Sequence, residues 1–124
     1  MTKLLIETKV DLDNIINTYG LNYQDLDGES ILHYFAKHGK IELIAYLFDR
    51  KRKERYDINI KNNLGQTALF EALNEEIAGF LLLHKIDYKC KDNNGNTAEE
   101  TNEYVNYVVN QRCNKKKILA NIVT

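Results

Sequence analysis

Three short segments share one pattern, and that recurrence restricts the fold more than any other feature of the chain. They are Asp25-Leu-Asp-Gly28-Glu-Ser30-Ile-Leu-His33, Asn62-Asn-Leu-Gly65-Gln-Thr67-Ala-Leu-Phe70 and Asp92-Asn-Asn-Gly95-Asn-Thr97-Ala-Glu-Glu100. Each reads Asp or Asn, two residues, Gly, one residue, Ser or Thr, then a helix-compatible stretch. The glycines lie 37 and 30 residues apart, around the period of about 33 that marks helical-repeat architectures. A glycine accepts the positive φ of a tight turn without steric cost. An Asp or Asn three residues earlier can bond the amides of that turn. Ser30, Thr67 and Thr97 stand where a helix N-cap belongs, and Glu100 completes a capping box with Thr97.

The apolar pattern after each turn recurs as well. Leu32, Phe35 and Ala36 form one face of a first helix; Gly39 breaks it, and Leu43, Ile44, Leu47 and Phe48 mark a second. In the next unit Leu69, Ala72 and Leu73 precede Ile77, Phe80, Leu81 and Leu82. Extended stretches with alternating Ile58 and Ile60, then Ile86 and Tyr88, lead into the following turn. The order in each unit is turn, helix, helix, finger.

In these residues the chain resembles the ankyrin-repeat family, whose signature is Gly-x-Thr-Pro-Leu-His-x-Ala. Gly28-Glu-Ser-Ile-Leu-His33-Tyr-Phe-Ala36 matches it well, Gly65-Gln-Thr-Ala-Leu-Phe-Glu-Ala72 less well, and Gly95-Asn-Thr-Ala-Glu-Glu100 is similar to a degenerate last repeat. The resemblance covers roughly residues 11 to 112 and implies an all-α fold, a short ankyrin-like helical-repeat solenoid with capping units at both ends. The expected division of the single domain 1–124 is a cap unit at 1–24, repeats at 25–61 and 62–91, and a closing repeat and tail at 92–124. Ile31, Ala68 and Ala98 replace the family proline. His33, which by resemblance bonds neighbouring loops, has Phe70 as its counterpart, so that network is expected to be partial. The first repeat is longer around Arg50-Lys-Arg-Lys-Glu-Arg55, and the second is shorter between its helices, at Asn74-Glu-Glu76.

Asp11 is the expected cap of a first helix carrying Leu12, Ile15, Ile16 and Tyr19, ended by Gly20. The state of Thr2 to Lys9 stays open. Tyr104, Val105, Val108 and Val109 fall at helical spacing in the closing unit, and Lys115 to Lys117 with Ile118 to Val123 read as either a docked last turn or a frayed tail. Solenoids need polar outer faces on their end units.

Catalytic chemistry is sparse. Ser30, the only serine, is expected to cap a helix rather than act as a nucleophile, with no Gly-x-Ser-x-Gly elbow around it. Cys90 reads as a small inward hydrophobe, and Cys113 lies near the end of the last helix. His33, His38 and His84 have no Cys, His or carboxylate at metal-ligand spacing, and no phosphate-binding glycine loop occurs. The expectation is therefore a protein that is not an enzyme and carries no cofactor or metal. Two thiols in no framework fit a reducing cytoplasm. No apolar run is long enough for a bilayer, and the N-terminus meets Glu7 too soon for a secretory signal.

Charge decides between partner classes. With 17 basic and 18 acidic residues the net charge is −1, whereas nucleic-acid binders are usually clearly basic. The run Arg50 to Arg55 has two readings, a solvated helix end where cations suit the dipole or a contact for an acidic surface, RNA or a nuclear-import receptor. The acidic set also has two. Glu71, Glu75 and Glu76 are expected on the first helix of the second repeat, and Glu99, Glu100 and Glu103 on that of the third, with Asp27 and Glu29 at the first finger. They either line one concave groove, where the family's partners bind, or simply follow the preference of helix starts for acids. Asn63, Leu64, Gln66, Asn93, Asn94 and Asn96 are the neighbouring finger residues. Tyr23, Tyr34 and Tyr56 offer aromatic contacts of the kind enriched at interface hot spots, Tyr34 equally as core.

The function expected from this pattern is non-enzymatic protein binding: a stoichiometric blocker of a basic partner, steered by its carboxylates. One concrete form is a bacterial immunity protein that neutralises a nuclease-type toxin, a role known for small ankyrin-like proteins. The rivals are a host-directed bacterial or viral effector that captures a eukaryotic regulator, an RNA-contacting factor using Arg50 to Arg55 and Lys115 to Lys117, and a fragment of a longer scaffold, against which the apparent caps speak.

Overall fold

The computed structural model describes residues 8–48 and 56–111. Its elements are α1 (Lys9–Tyr19), α2 (Ile31–His38), α3 (Ile41–Leu47), a 3-10 turn (Ala68–Glu71), α4 (Glu75–Leu83), α5 (Ala98–Thr101) and a further helical stretch, α6, over 103–111. Among the described residues the only β pairing is an isolated antiparallel bridge between Gln24 and Ser30. The all-α repeat architecture is thus as the sequence pattern predicts. Residues 2–7, the run Arg50 to Arg55, Cys113 and the segment from Lys115 to Val123 lie outside the described residues.

Each recurring turn closes in the same way. Gly28, Gly65 and Gly95 donate their N–H to the carbonyls of Asp25, Asn62 and Asp92, at 2.9, 2.9 and 3.0 Å. The same three residues donate their own N–H to Glu29, Gln66 and Asn96. One side-chain oxygen on each accepts two further amides: Asp27 and Glu29 at Asp25, Leu64 and Gln66 at Asn62, Asn94 and Asn96 at Asp92. At Gly28 and Gly65 the demand for glycine is double. Their φ values are +77 and +75°, and a Cβ would stand 2.7 Å from Asn63 N or 2.5 Å from Asn93 Oδ1, because the next finger packs directly on the turn.

The helices stack in two layers. α2, the 3-10 turn and α5 form one row; α1 packs on α3 in the other. Phe48, just past α3, continues the second row onto α4 through Phe80 (ring centroids 6.2 Å) and a stacked His84 (5.3 Å). One continuous core runs through the units, with Leu12, Ile31, Leu32, Phe35, Ile44, Leu47, Leu69, Ile77, Leu81 and Val105 buried. Each such side chain stabilises by roughly 1.5–3 kcal/mol relative to exposure, and the i, i+3, i+4 spacing of Leu32, Phe35 and Ala36 places them on the inner face of α2.

Several expectations are corrected. Thr8, not Asp11, caps α1: Thr8 Oγ1 accepts the Asp11 N–H, and Asp11 Oδ2 accepts the Thr8 N–H, both at 3.2 Å. The first helix of the second repeat shrinks to the four-residue 3-10 turn, since only six residues separate Thr67 from Asn74. Leu73 is consequently half exposed, its N–H bonded to Ala36 O at 3.0 Å. Asn74 caps α4 through Oδ1 and the Ile77 N–H, so Glu75 and Glu76 open α4 in the second layer and do not lie on a first helix. Glu103 likewise falls on α6 and not on α5. Thr67 makes no side-chain cap bond and its Oγ1 is buried without a partner.

Candidate recognition surface

Asp27, Leu64 and Asn94 occupy the same place in successive turns, immediately before the glycine, and all three are exposed, Leu64 at 61%. Their side chains are spare because their main chains are not. Each N–H is bound by the turn's own Asp or Asn side chain. The carbonyls of Asp27 and Leu64 accept the N–H of Asn63 and Asn93, both at 2.9 Å. Leu26, exposed at 75%, lies beside them.

The finger asparagines take a different role. Asn63 Nδ2 donates to Leu26 O at 2.8 Å and Asn93 Nδ2 to Asn63 O at 2.9 Å, so both amides bind the preceding finger. Gln66 Nε2 donates to Asp92 Oδ2 at 3.1 Å, and Gln24 Nε2 bridges Gly28 O and Lys61 O. The row of turns is therefore a hydrogen-bonded ladder at a fixed spacing.

Behind the tips, the first-helix row carries Glu29, Glu71, Glu99 and Glu100. Glu100 accepts from Thr97 N–H and Oγ1–H at 3.3 and 3.0 Å, which completes the predicted cap pairing. Glu71 is not a free carboxylate: burial, and then the neighbouring Glu29, push its carboxyl up to about 8. The acidic stripe expected from sequence loses that charge at neutral pH. Tyr34 packs partly on the core, its ring against His38 at 4.4 Å.

A polar chain fixes this row. His33 is fully buried. Its Nε2 lies 2.7 Å from Gln66 O, an acceptor only, so Nε2 carries the hydrogen and Nδ1 the lone pair. Ser30 N–H donates to Nδ1 at 3.1 Å and Ser30 Oγ is 2.8 Å away. Ser30 Oγ in turn accepts the Tyr56 hydroxyl at 2.7 Å, and that hydroxyl accepts the Leu32 N–H at 3.3 Å. Burial lowers the His33 pKa and raises that of Tyr56 to about 12. Tyr56 is thus a strut between finger and helix start, not a surface contact. Glu29, His33 and Glu71 place one ligand-type atom each within 4.8 Å, but both ring nitrogens of His33 are committed to protein bonds, and the trio does not fit a metal.

The sequence reading missed Asn102. Its Nδ2 donates to Phe70 O (3.1 Å) and Ala72 O (2.9 Å), while Oδ1 accepts from Tyr104 N–H and Val105 N–H. The readable signal was an Asn just ahead of an apolar helical pattern; its bonds to the previous repeat had no signal. Cys90 is half-buried, its thiol 3.4 Å from Asp87 O, and desolvation raises its pKa. That suits the expected packing role better than a reactive one. No described helix is long and apolar enough to cross a membrane.

A family model for ankyrin repeats, in three copies, matches residues 1–92. No curated protein matches the chain at a significant level.

Proposed function

Because the chain belongs to the ankyrin-repeat family, whose members are protein–protein interaction modules, we propose that it binds one basic protein partner stoichiometrically along its finger tips. The observation that carries this is the tip row: Asp27, Leu64 and Asn94 are exposed and bonded into the fold through their main chains alone. Leu64 and Leu26 offer apolar anchors, and Asp27 with Glu100 behind it offers the charge that steers a cationic surface. Glu75, Glu76 and Glu103, displaced to the second layer, are left out of this surface. The concrete form we favour is an immunity protein covering the positively charged groove of a nuclease-type toxin.

The test is a pull-down with the full chain as bait, eluted by salt, beside a tip variant combining Asp27→Lys, Leu64→Ala and Asn94→Lys. A basic protein captured by the natural chain at a one-to-one ratio, and bound at least tenfold more weakly by the variant, is the expected result. Equal capture by both baits, or an acidic partner, overturns the tip assignment. A nuclease assay of the captured protein with and without the chain then decides the immunity reading.

A further inference from the structure

The first and second repeats meet through two carboxyl groups where one would suffice. Glu29, at the first finger turn, is largely covered and lies 3.8 Å from Lys37 Nζ and 3.8 Å from His33 Nδ1, with Asn62 Nδ2 at 3.5 Å. Glu71 reaches it from the 3-10 turn of the next repeat, with an oxygen of each carboxyl within 4.8 Å of the other. The second oxygen of Glu71, Oε2, is buried and has no hydrogen-bond partner. Ionised carboxylates are acceptors only, so two of them at this range repel unless one keeps its proton. A charged oxygen buried without a donor is costly as well.

The local charges do not relieve the pair. Lys37 on α2 is mostly exposed and, among the described residues, is the one cation acting on it. His33 is held neutral by burial, its Nε2–H already given to Gln66 O. Asp25, on the same turn as Glu29, adds further negative charge. On the other side of the 3-10 turn packs α5, which carries Glu99 and Glu100 and no cation. One lysine faces two carboxyls, and one retained proton makes the group neutral.

We propose that Glu71 keeps its proton beside Glu29 at neutral pH, and that release of this proton to solvent loosens the junction between the first and second repeats. Loss of the proton sets two desolvated negative charges within 4.8 Å of each other. Relief comes from withdrawing the 3-10 turn from α2, which strains the His33–Gln66 and Asn63–Asp27 bonds spanning the same junction. The upward displacement of the Glu71 carboxyl agrees in direction. This device belongs to the fold itself and holds whichever partner the tips bind.

The test follows the side-chain carboxyl carbons of the uniformly ¹³C-labelled full chain by NMR from pH 4 to 9. Thermal melts of the natural chain and of Glu71→Gln over the same range accompany it. Glu71 is expected to titrate near 8. The proposal also expects a melting temperature that falls by several degrees between pH 6 and 9 in the natural chain and stays level in Glu71→Gln, where a neutral amide replaces the protonated acid. Glu71 titrating in the ordinary carboxyl range, or a melting temperature that falls equally in the two proteins, overturns it. The NMR arm needs no variant and stands if Glu71→Gln folds poorly.

Discussion

A methyl group added at Gly28 meets Asn63 N at 2.7 Å and Asn62 Cα at 2.9 Å with φ at +77°, whereas one at Gly95 meets nothing within 4 Å at φ +80°. Gly95→Ala should therefore cost about 1 kcal/mol for the left-handed backbone alone, and Gly28→Ala should cost more than ~2 kcal/mol, since backbone must also shift. Chemical denaturation of the two variants checks this; equal losses would mean that the finger stacking contributes nothing. Tyr56→Phe removes the donor to Ser30 Oγ and the acceptor of an unpaired first-turn amide at Leu32, and should cost about 1–2 kcal/mol in the same measurement. At this scale the sequence was most legible. The turn glycines and their Asp and Asn partners announce themselves because local chemistry alone demands them. Tyr56 was not readable, since a tyrosine facing solvent and one bonded to a distant serine look alike in a sequence. Nor were the amides of Asn63 and Asn93, whose partners are the carbonyls of Leu26 and Asn63 on neighbouring turns.

The elements were legible in kind but not in extent. The 3-10 turn at Ala68–Glu71 has the composition of a helix, and only the short distance to Asn74 prevents one. Grouping Glu71 with Glu75 and Glu76 overlooked that Asn74 begins a new helix, and the acidic groove was overcounted for that reason. Two residues past the end of α4 stands Lys85 with φ at +65°, a left-handed non-glycine residue followed by the Ile86 N–H bond to Leu81 O. Glycine is the usual residue at such a helix end. Lys85→Gly should raise stability by up to ~1 kcal/mol, the relieved backbone strain exceeding the added freedom of the unfolded chain. Asn102 joins the closing helix to the repeat before it. Asn102→Asp keeps the cap acceptor but loses both donors and turns a charge toward the carbonyls of Phe70 and Ala72. We expect it to cost about 2–3 kcal/mol, more than Asn74→Ala at about 1 kcal/mol. Amide hydrogen exchange should show Val105 and its neighbours losing protection first.

At the scale of the whole molecule, two buried groups pull the stability in opposite senses along the pH axis. His33 has a folded pKa below its ordinary 6.5, so the unfolded chain binds its proton first and stability falls as the pH drops below that value. Glu71 has a folded value near 8 against an ordinary 4.5, so its contribution is complete below about 4.5 and is lost as the pH rises through 8. Melting temperature plotted against pH should therefore fall on both flanks, and a flat curve from 5 to 9 would contradict both assignments. The architecture at this scale was readable because repetition multiplies a weak local signal. The partner was not, because tip side chains carry no structural duty that a pattern could reveal. That freedom has a consequence for descent. Since Asp27, Leu64 and Asn94 are bonded into the ladder through their main chains, mutation can rewrite the tips one at a time with the scaffold intact. A lineage of such chains can change what its tips recognise by substitution at three letters, while the glycines beside them stay fixed.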